Sequence, residues 1–155
     1  MEVERKWLVR ELPPGFDSLP SRPIRQGYLA LEPDGREVRV CDDGGKLRLT
    51  VKSAGDIARS EDEIELAAEQ FATLWPLTEG RRIDKVRAEL RLSGDAVAEI
   101  DVYQGDLAPL VVAEVEFPSE AAAAAFEPPA WMGQEVTKDA RYKNRNLALS
   151  PGPAR

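Results

Sequence analysis

Glu2, Glu4 and Lys6 alternate with Val3, Arg5 and Trp7 in the opening stretch MEVERKWLV. In a strand, residues of one parity share a face, so the two glutamates and the lysine stand side by side. The same plan recurs further along the chain. Arg39 precedes Cys41, and Arg48, Thr50 and Lys52 oppose Leu47, Leu49 and Val51. Arg59, Glu61, Glu63 and Glu65 follow, then Lys85 with Arg87, Glu99 with Asp101, and Glu114 with Glu116. For any one strand this is the ordinary solvated face of an antiparallel sheet. Together, however, the charges are segregated by sign, and like charges set opposite one another destabilise a sheet.

Segregation has a chemical use. Crowded carboxylates suit a hard divalent cation, which prefers oxygen ligands, and paired lysines and arginines suit phosphate oxygens. The pattern describes a metal-assisted polyphosphate site, with an acidic wall facing a basic one. The chain has no histidine, so imidazole-based zinc sites and Ser-His or Cys-His nucleophiles are excluded, and any metal must be held by oxygen. The single cysteine, Cys41, forms no internal disulfide. A formal net charge of −7 argues against a general nucleic-acid surface.

These side chains must be carried by short strands. Segments 1–9, 24–31, 37–41, 47–52, 59–66, 82–92, 96–103 and 110–117 have strand character, and most alternate. EPDGR at 32–36, DDGGK at 42–46 and SGD at 93–95 are hairpin turns between them. Helices are expected at 67–74, at 119–126 with Ser119 as N-cap, and within YKNRNLAL near the end. A sheet of about eight strands can close on itself and enclose its charged face, so the expected fold is mainly β (α+β), a closed eight-stranded antiparallel barrel with a few flanking helices. A chain of 155 residues makes one domain, 1–149, with a tail at 150–155. No apolar stretch suggests a membrane span or secretory signal, and a cytoplasmic location is expected.

In this order the motifs resemble the CYTH, or triphosphate tunnel metalloenzyme, family. EVERKW is similar to that family's ExExK strand; LTVKS, RSEDEIEL, DKVRAEL, AEIDVYQGDL, AEVEF and GQEVTKDARYKNRNLA match its later segments across nearly the whole chain. The resemblance implies an eight-stranded tunnel that binds triphosphates with Mg2+ or Mn2+. It implies metal ligation by Glu2, Glu4, Asp101, Glu114 and Glu116, and phosphate binding by Arg39, Arg48, Lys52, Arg59, Lys85 and Arg87. Glu61 and Glu63 would place the water or a second metal, and Lys6 would touch the leaving phosphate or tune that water. One departure stands out: EVRVCDD keeps Arg39 but has Cys41 where the family usually has a second arginine, a contact that Arg48 could supply.

The expected activity is divalent-metal-dependent hydrolysis of inorganic tripolyphosphate. The alternatives are a thiamine or nucleoside triphosphatase, a class IV-type adenylate cyclase, or a catalytically weak module that binds polyphosphate or nucleotide. The expected partner is a small-molecule triphosphate, with no nucleic acid and no membrane; a homodimer stands among the expected assemblies.

Overall fold

The computed structural model describes residues 3–54 and 60–149. Its strands are β1 (Val3–Leu8), β2 (Ser21–Leu31), β3 (Glu37–Asp43), β4 (Lys46–Lys52), β5 (Glu61–Glu65), β6 (Arg82–Arg91), β7 (Val97–Tyr103) and β8 (Val111–Phe117). Its α-helices are α1 (Ala68–Leu74), α2 (Glu120–Ala125) and α3 (Asn144–Leu147). All eight expected strands form, every pairing is antiparallel, and they make one sheet in the order β1-β8-β7-β6-β2-β3-β4-β5. The β3–β4 turn needs two consecutive residues at positive φ, and Gly44 (59°) with Gly45 (100°) supplies them. Ser119 caps α2 as expected, its hydroxyl accepting from the Ala122 amide at 3.1 Å.

The sheet rolls around its charged face but does not close. Among the described residues β1 and β5 share no ladder, which corrects the expectation of a hydrogen-bonded barrel. The outer edge of β1 is already occupied by residues 133–137. Leu8 N donates to the Gln134 carbonyl, Gly133 N to the Leu8 carbonyl and Val136 N to the Lys6 carbonyl, each at 2.8 Å, and Lys6 N donates to Thr137 Oγ1 at 3.0 Å. The Lys6 and Leu8 groups on that edge are thereby taken and cannot pair with β5. Arg5 fastens this segment from the outer face, reaching Glu135 Oε1 and Oε2 at 2.7 and 3.0 Å and the Ala123 carbonyl at 2.7 Å.

Two apolar clusters hold the roll. Trp7, Ile100, Val115, Phe117 and Met132 fill the outer face of β1, β8 and β7 beneath α2. Tyr28, Ile83, Tyr103, Tyr142 and Leu147 form the second cluster, with the C-terminal residues packed against one end of the rolled sheet. Trp7 and Trp131 sit in or against the first cluster, and Trp75 stacks on Phe71 at 5.3 Å.

The turn after α1 lies hard against β2. A Cβ built on Gly27 would stand 2.5 Å from Thr78 Cβ and Oγ1, and Thr78 is fully buried. Gly27→Ala is therefore expected to destabilise the protein by about 1–3 kcal/mol, the ordinary cost of overpacking. An unchanged urea midpoint would contradict this close approach.

Candidate functional site

The strand register converts the sequence pattern into two walls. Glu4 stands across from Glu116, and Lys6 from Glu114, which is itself across from Glu99. The sector β1–β8–β7 is thus acidic. The sector β6–β2–β3–β4 is basic: Arg87 faces Arg22, Cys41 faces Arg48, and Glu61 and Glu63 of β5 face Lys52 and Thr50. The walls enclose a cavity of about 530 Å³ lined by seven carboxylates and six cations. Glu4, Arg39, Arg48, Lys52, Glu61, Glu63, Lys85, Arg87, Glu114 and Glu116 all border it, so most of the expected residues do meet.

A second space of about 240 Å³ adjoins it under the C-terminal segment, and the two share Glu4, Arg39, Lys52, Glu114 and Asn144. Lys6 borders only this second space. Its ammonium donates to the Tyr142 carbonyl at 3.0 Å and pairs with Glu114 Oε1 at 3.2 Å. Asp101 borders neither. It is 2% exposed and lies beneath the basic wall, with Oδ2 2.9 Å from Lys85 Nζ and its two oxygens accepting from Arg87 at 2.7 and 2.9 Å. Glu2 and Arg59 lie outside the described residues.

Electrostatics separate the carboxylates. Burial pushes Asp101 up, but Lys85 and Arg87 outweigh it and hold the carboxyl below its ordinary range. Glu4 moves the other way, raised by burial and then by the Glu114 charge, against the smaller pull of Lys6 and Lys52. Glu99 is also raised, by burial first and by Glu114 and Asp101, although Arg87 opposes them. Both shifts have the sign of carboxylates disfavoured by burial and by one another's charge. Among the described residues no three carboxylates, histidines or cysteines are gathered as a ready metal cage.

Several bordering residues escaped the sequence reading. Arg22, Gln26, Glu37, Asp43, Asn144 and Arg145 all face these spaces. Glu37 and Asp43 share the parity of Arg39 and Cys41, which is a signal the sequence did contain. Tyr28 is buried, its hydroxyl accepting from Gln26 Nε2 at 3.0 Å. Cys41 borders the larger cavity, and burial followed by the Asp43 charge raises its thiol above the ordinary value. No helix among the described residues is long and apolar enough to cross a membrane.

Comparison with known proteins bears on this geometry. The chain is 49% identical over 149 residues to an inorganic triphosphatase of Nitrosomonas europaea, covering 96% of this chain and 97% of that protein. It is 37% identical over 153 residues to an inorganic triphosphatase of Acetivibrio thermocellus, covering 97% and 94% respectively. A solved structure of an inorganic triphosphatase, 47% identical, matches with a TM-score of 0.79 over 97% of this chain and 95% of that one. No family model matches the chain.

Proposed function

Because the chain belongs to the CYTH, or triphosphate tunnel metalloenzyme, family alongside the two inorganic triphosphatases just described, we propose that it hydrolyses inorganic tripolyphosphate to pyrophosphate and orthophosphate in the larger cavity, with Mg2+ or Mn2+. The observation that carries this reading is the pair of facing walls of opposite charge around one cavity. No aromatic ring of the described residues borders that cavity, which favours a bare phosphate chain over a nucleoside or thiamine triphosphate.

The donor set fits a divalent cation by its chemistry. Glu4 and Glu116 oppose one another in register, Glu114 is adjacent, and burial with the Glu114 charge raises the Glu4 carboxyl above its ordinary value. These three residues would hold the ion, together with Glu2. Once bound, it would neutralise the substrate's phosphate oxygens and lower the pKa of a coordinated water.

The protein's own groups account for the rest. Lys52, Lys85, Arg87 and Arg39 bind and orient the phosphate chain, where positioning and charge stabilisation supply most of the rate. Arg87 stays cationic: burial lowers its pKa, but its bonds to Asp101 and the nearby acidic charges raise it further. Arg48 stands across from Cys41, with its guanidinium 4.0 Å from both Asp43 and Glu63, and supplies the contact that a second arginine on β3 would otherwise make. Glu61 and Glu63, on the exposed strand β5, orient the attacking water. Lys6 acts through Glu114, whose carboxylate it holds in place.

A phosphate-release screen against tripolyphosphate, thiamine triphosphate, ATP and pyrophosphate, with each metal, tests the proposal. Tripolyphosphate should be cleaved fastest. Preferred cleavage of an organic triphosphate would overturn the substrate assignment.

Cys41 offers a second check as the only thiol in the chain. Its raised pKa makes it a slow nucleophile near neutral pH, with alkylation accelerating only above the ordinary thiol range. Tripolyphosphate should slow alkylation further by filling the cavity that Cys41 borders. Labelling unaffected by saturating tripolyphosphate would place the substrate elsewhere.

A further inference from the structure

Of the residues that border both spaces, Glu4, Arg39, Lys52 and Glu114 are charged and Asn144 alone is neutral. Its side chain is fixed from the core side. The Tyr103 hydroxyl donates to Asn144 Oδ1 at 2.6 Å, and Tyr103 is 2% exposed at the end of β7, across from Lys85. Burial first, then the charges of Asp101 and Glu114, pushes that hydroxyl well above its ordinary range, so it keeps its proton and donates. The backbone is held as well. The Leu147 amide donates to the Lys143 carbonyl at 3.0 Å, the Ala148 amide donates to the Asn144 carbonyl at 2.9 Å, and Leu147 is anchored in the core.

A primary amide is planar, with its oxygen and nitrogen on opposite sides of Cγ. Holding Oδ1 against Tyr103 turns Nδ2 away from the core, and among the described residues Nδ2 donates to no protein group. One oriented donor is thus left over where the acidic and basic walls meet. Neutrality suits that place. An ammonium there would pair with Glu4 or Glu114 and compete with a cation, whereas an amide donates to a phosphate oxygen and leaves the carboxylates their charge.

We propose that Asn144 Nδ2 donates to a phosphate oxygen of the bound chain, and that Tyr103 is the positioning residue that keeps the amide turned that way. That the chain is then cleaved rests on the triphosphatase reading; the binding contact does not.

The test measures tripolyphosphate binding to metal-free protein by calorimetry, and KM and kcat with Mg2+. Asn144→Ala should weaken binding and raise KM by about tenfold, the scale of one hydrogen bond to a charged group, with kcat little changed. Asn144→Asp keeps the acceptor for Tyr103 but puts a carboxylate oxygen where the donor stood, and should raise KM further than Asn144→Ala does. A side chain that served only the fold would give the reverse order. Tyr103→Phe keeps the ring, whose centre lies 5.5 Å from Lys85 Nζ, and removes only the hydroxyl. It should raise KM in the wild-type background and leave it unchanged in Asn144→Ala. Unaltered binding and KM in both Asn144 variants overturns the contact, and with normal cleavage leaves the triphosphatase reading standing. A Tyr103→Phe effect of equal size with and without Asn144, or none in either background, overturns the positioning role. A protein that binds tripolyphosphate in this Asn144-dependent way yet releases no phosphate overturns the triphosphatase reading and leaves the contact standing.

Discussion

Chelation of divalent cations is expected to abolish tripolyphosphate hydrolysis, and Glu4→Gln to lower kcat/KM by roughly two to three orders of magnitude, the scale seen when one preorganised charge-stabilising contact is lost. The same substitution should raise the melting temperature of the metal-free protein. Glu4 is exposed to solvent at the cavity wall, but it lies beside Glu114 and faces Glu116, so its charged form is disfavoured in the fold by a modest, solvent-screened amount. A carboxyl whose folded pKa is raised contributes nothing below its unfolded pKa, near 4.3. Its penalty grows as pH rises and is complete above the folded value. Glu99 has the same sign. Metal-free wild type should therefore lose stability between mildly acidic and neutral pH through these groups, and added Mg2+ should recover more of it at pH 8 than at pH 5. Activity undiminished in excess chelator would remove the metal from the reaction. A metal-free Glu4→Gln protein that melts lower than wild type would show that the acidic wall is not under electrostatic strain.

Parity alone made the charged face legible, because a two-residue period assigns each side chain to a side without knowledge of its neighbours. It could not give register. Glu99 and Asp101 read as one acidic pair, yet Asp101 falls across from Arg87 and is consumed by the basic wall, while Glu99 falls across from Glu114 and Glu89. The second strand was harder still. Its SRPIRQGYLAL carries an arginine on each parity: Arg22 faces the cavity, and Arg25 turns outward, its guanidinium 4.9 Å from the centre of the Trp75 ring. Closure was illegible for a different reason. Whether β1 meets β5 depends on what takes the outer edge of β1, and GQEVT at 133–137 shows no alternation that marks it as a strand partner. The positions of Asn144 and Arg145 follow from that same docking, which brings a stretch more than a hundred residues from β1 to the cavity wall.

Asp101→Ala is expected to be the most damaging single change to the fold, costing about 3–5 kcal/mol, as breaking a buried ion pair from one side does. Lys85 is 3% exposed and Arg87 half-buried, and both have Asp101 within 3 Å. Without the carboxylate Lys85 loses its ion-pair partner and Arg87, among the described residues, keeps only Glu99, at 3.1 Å. That loss is more than half of the stability of a domain at the lower end of the usual range, about 5 kcal/mol. Asp101→Asn should fall between, since its amide oxygen still accepts one hydrogen bond but no longer offsets charge. The lowered pKa of Asp101 gives the sign of its pH dependence: its contribution is complete above the unfolded carboxyl value, near 3.9, and is lost as pH falls through the folded one. The neutral-range slope assigned to Glu4 and Glu99 should thus persist in Asp101→Asn, while the loss below pH 4 should shrink. Hydrolysis should drop with stability, because Lys85 and Arg87 are aimed into the cavity by the group they would lose. A double-mutant cycle separates the two effects. Lys85→Met combined with Asp101→Asn removes both halves of one buried pair, and its stability loss should be smaller than the sum of the single losses. Activity, which needs the lysine itself, should not recover. Strict additivity in stability, or an unchanged melting temperature in Asp101→Ala, would mean that Asp101 does not hold the basic wall together.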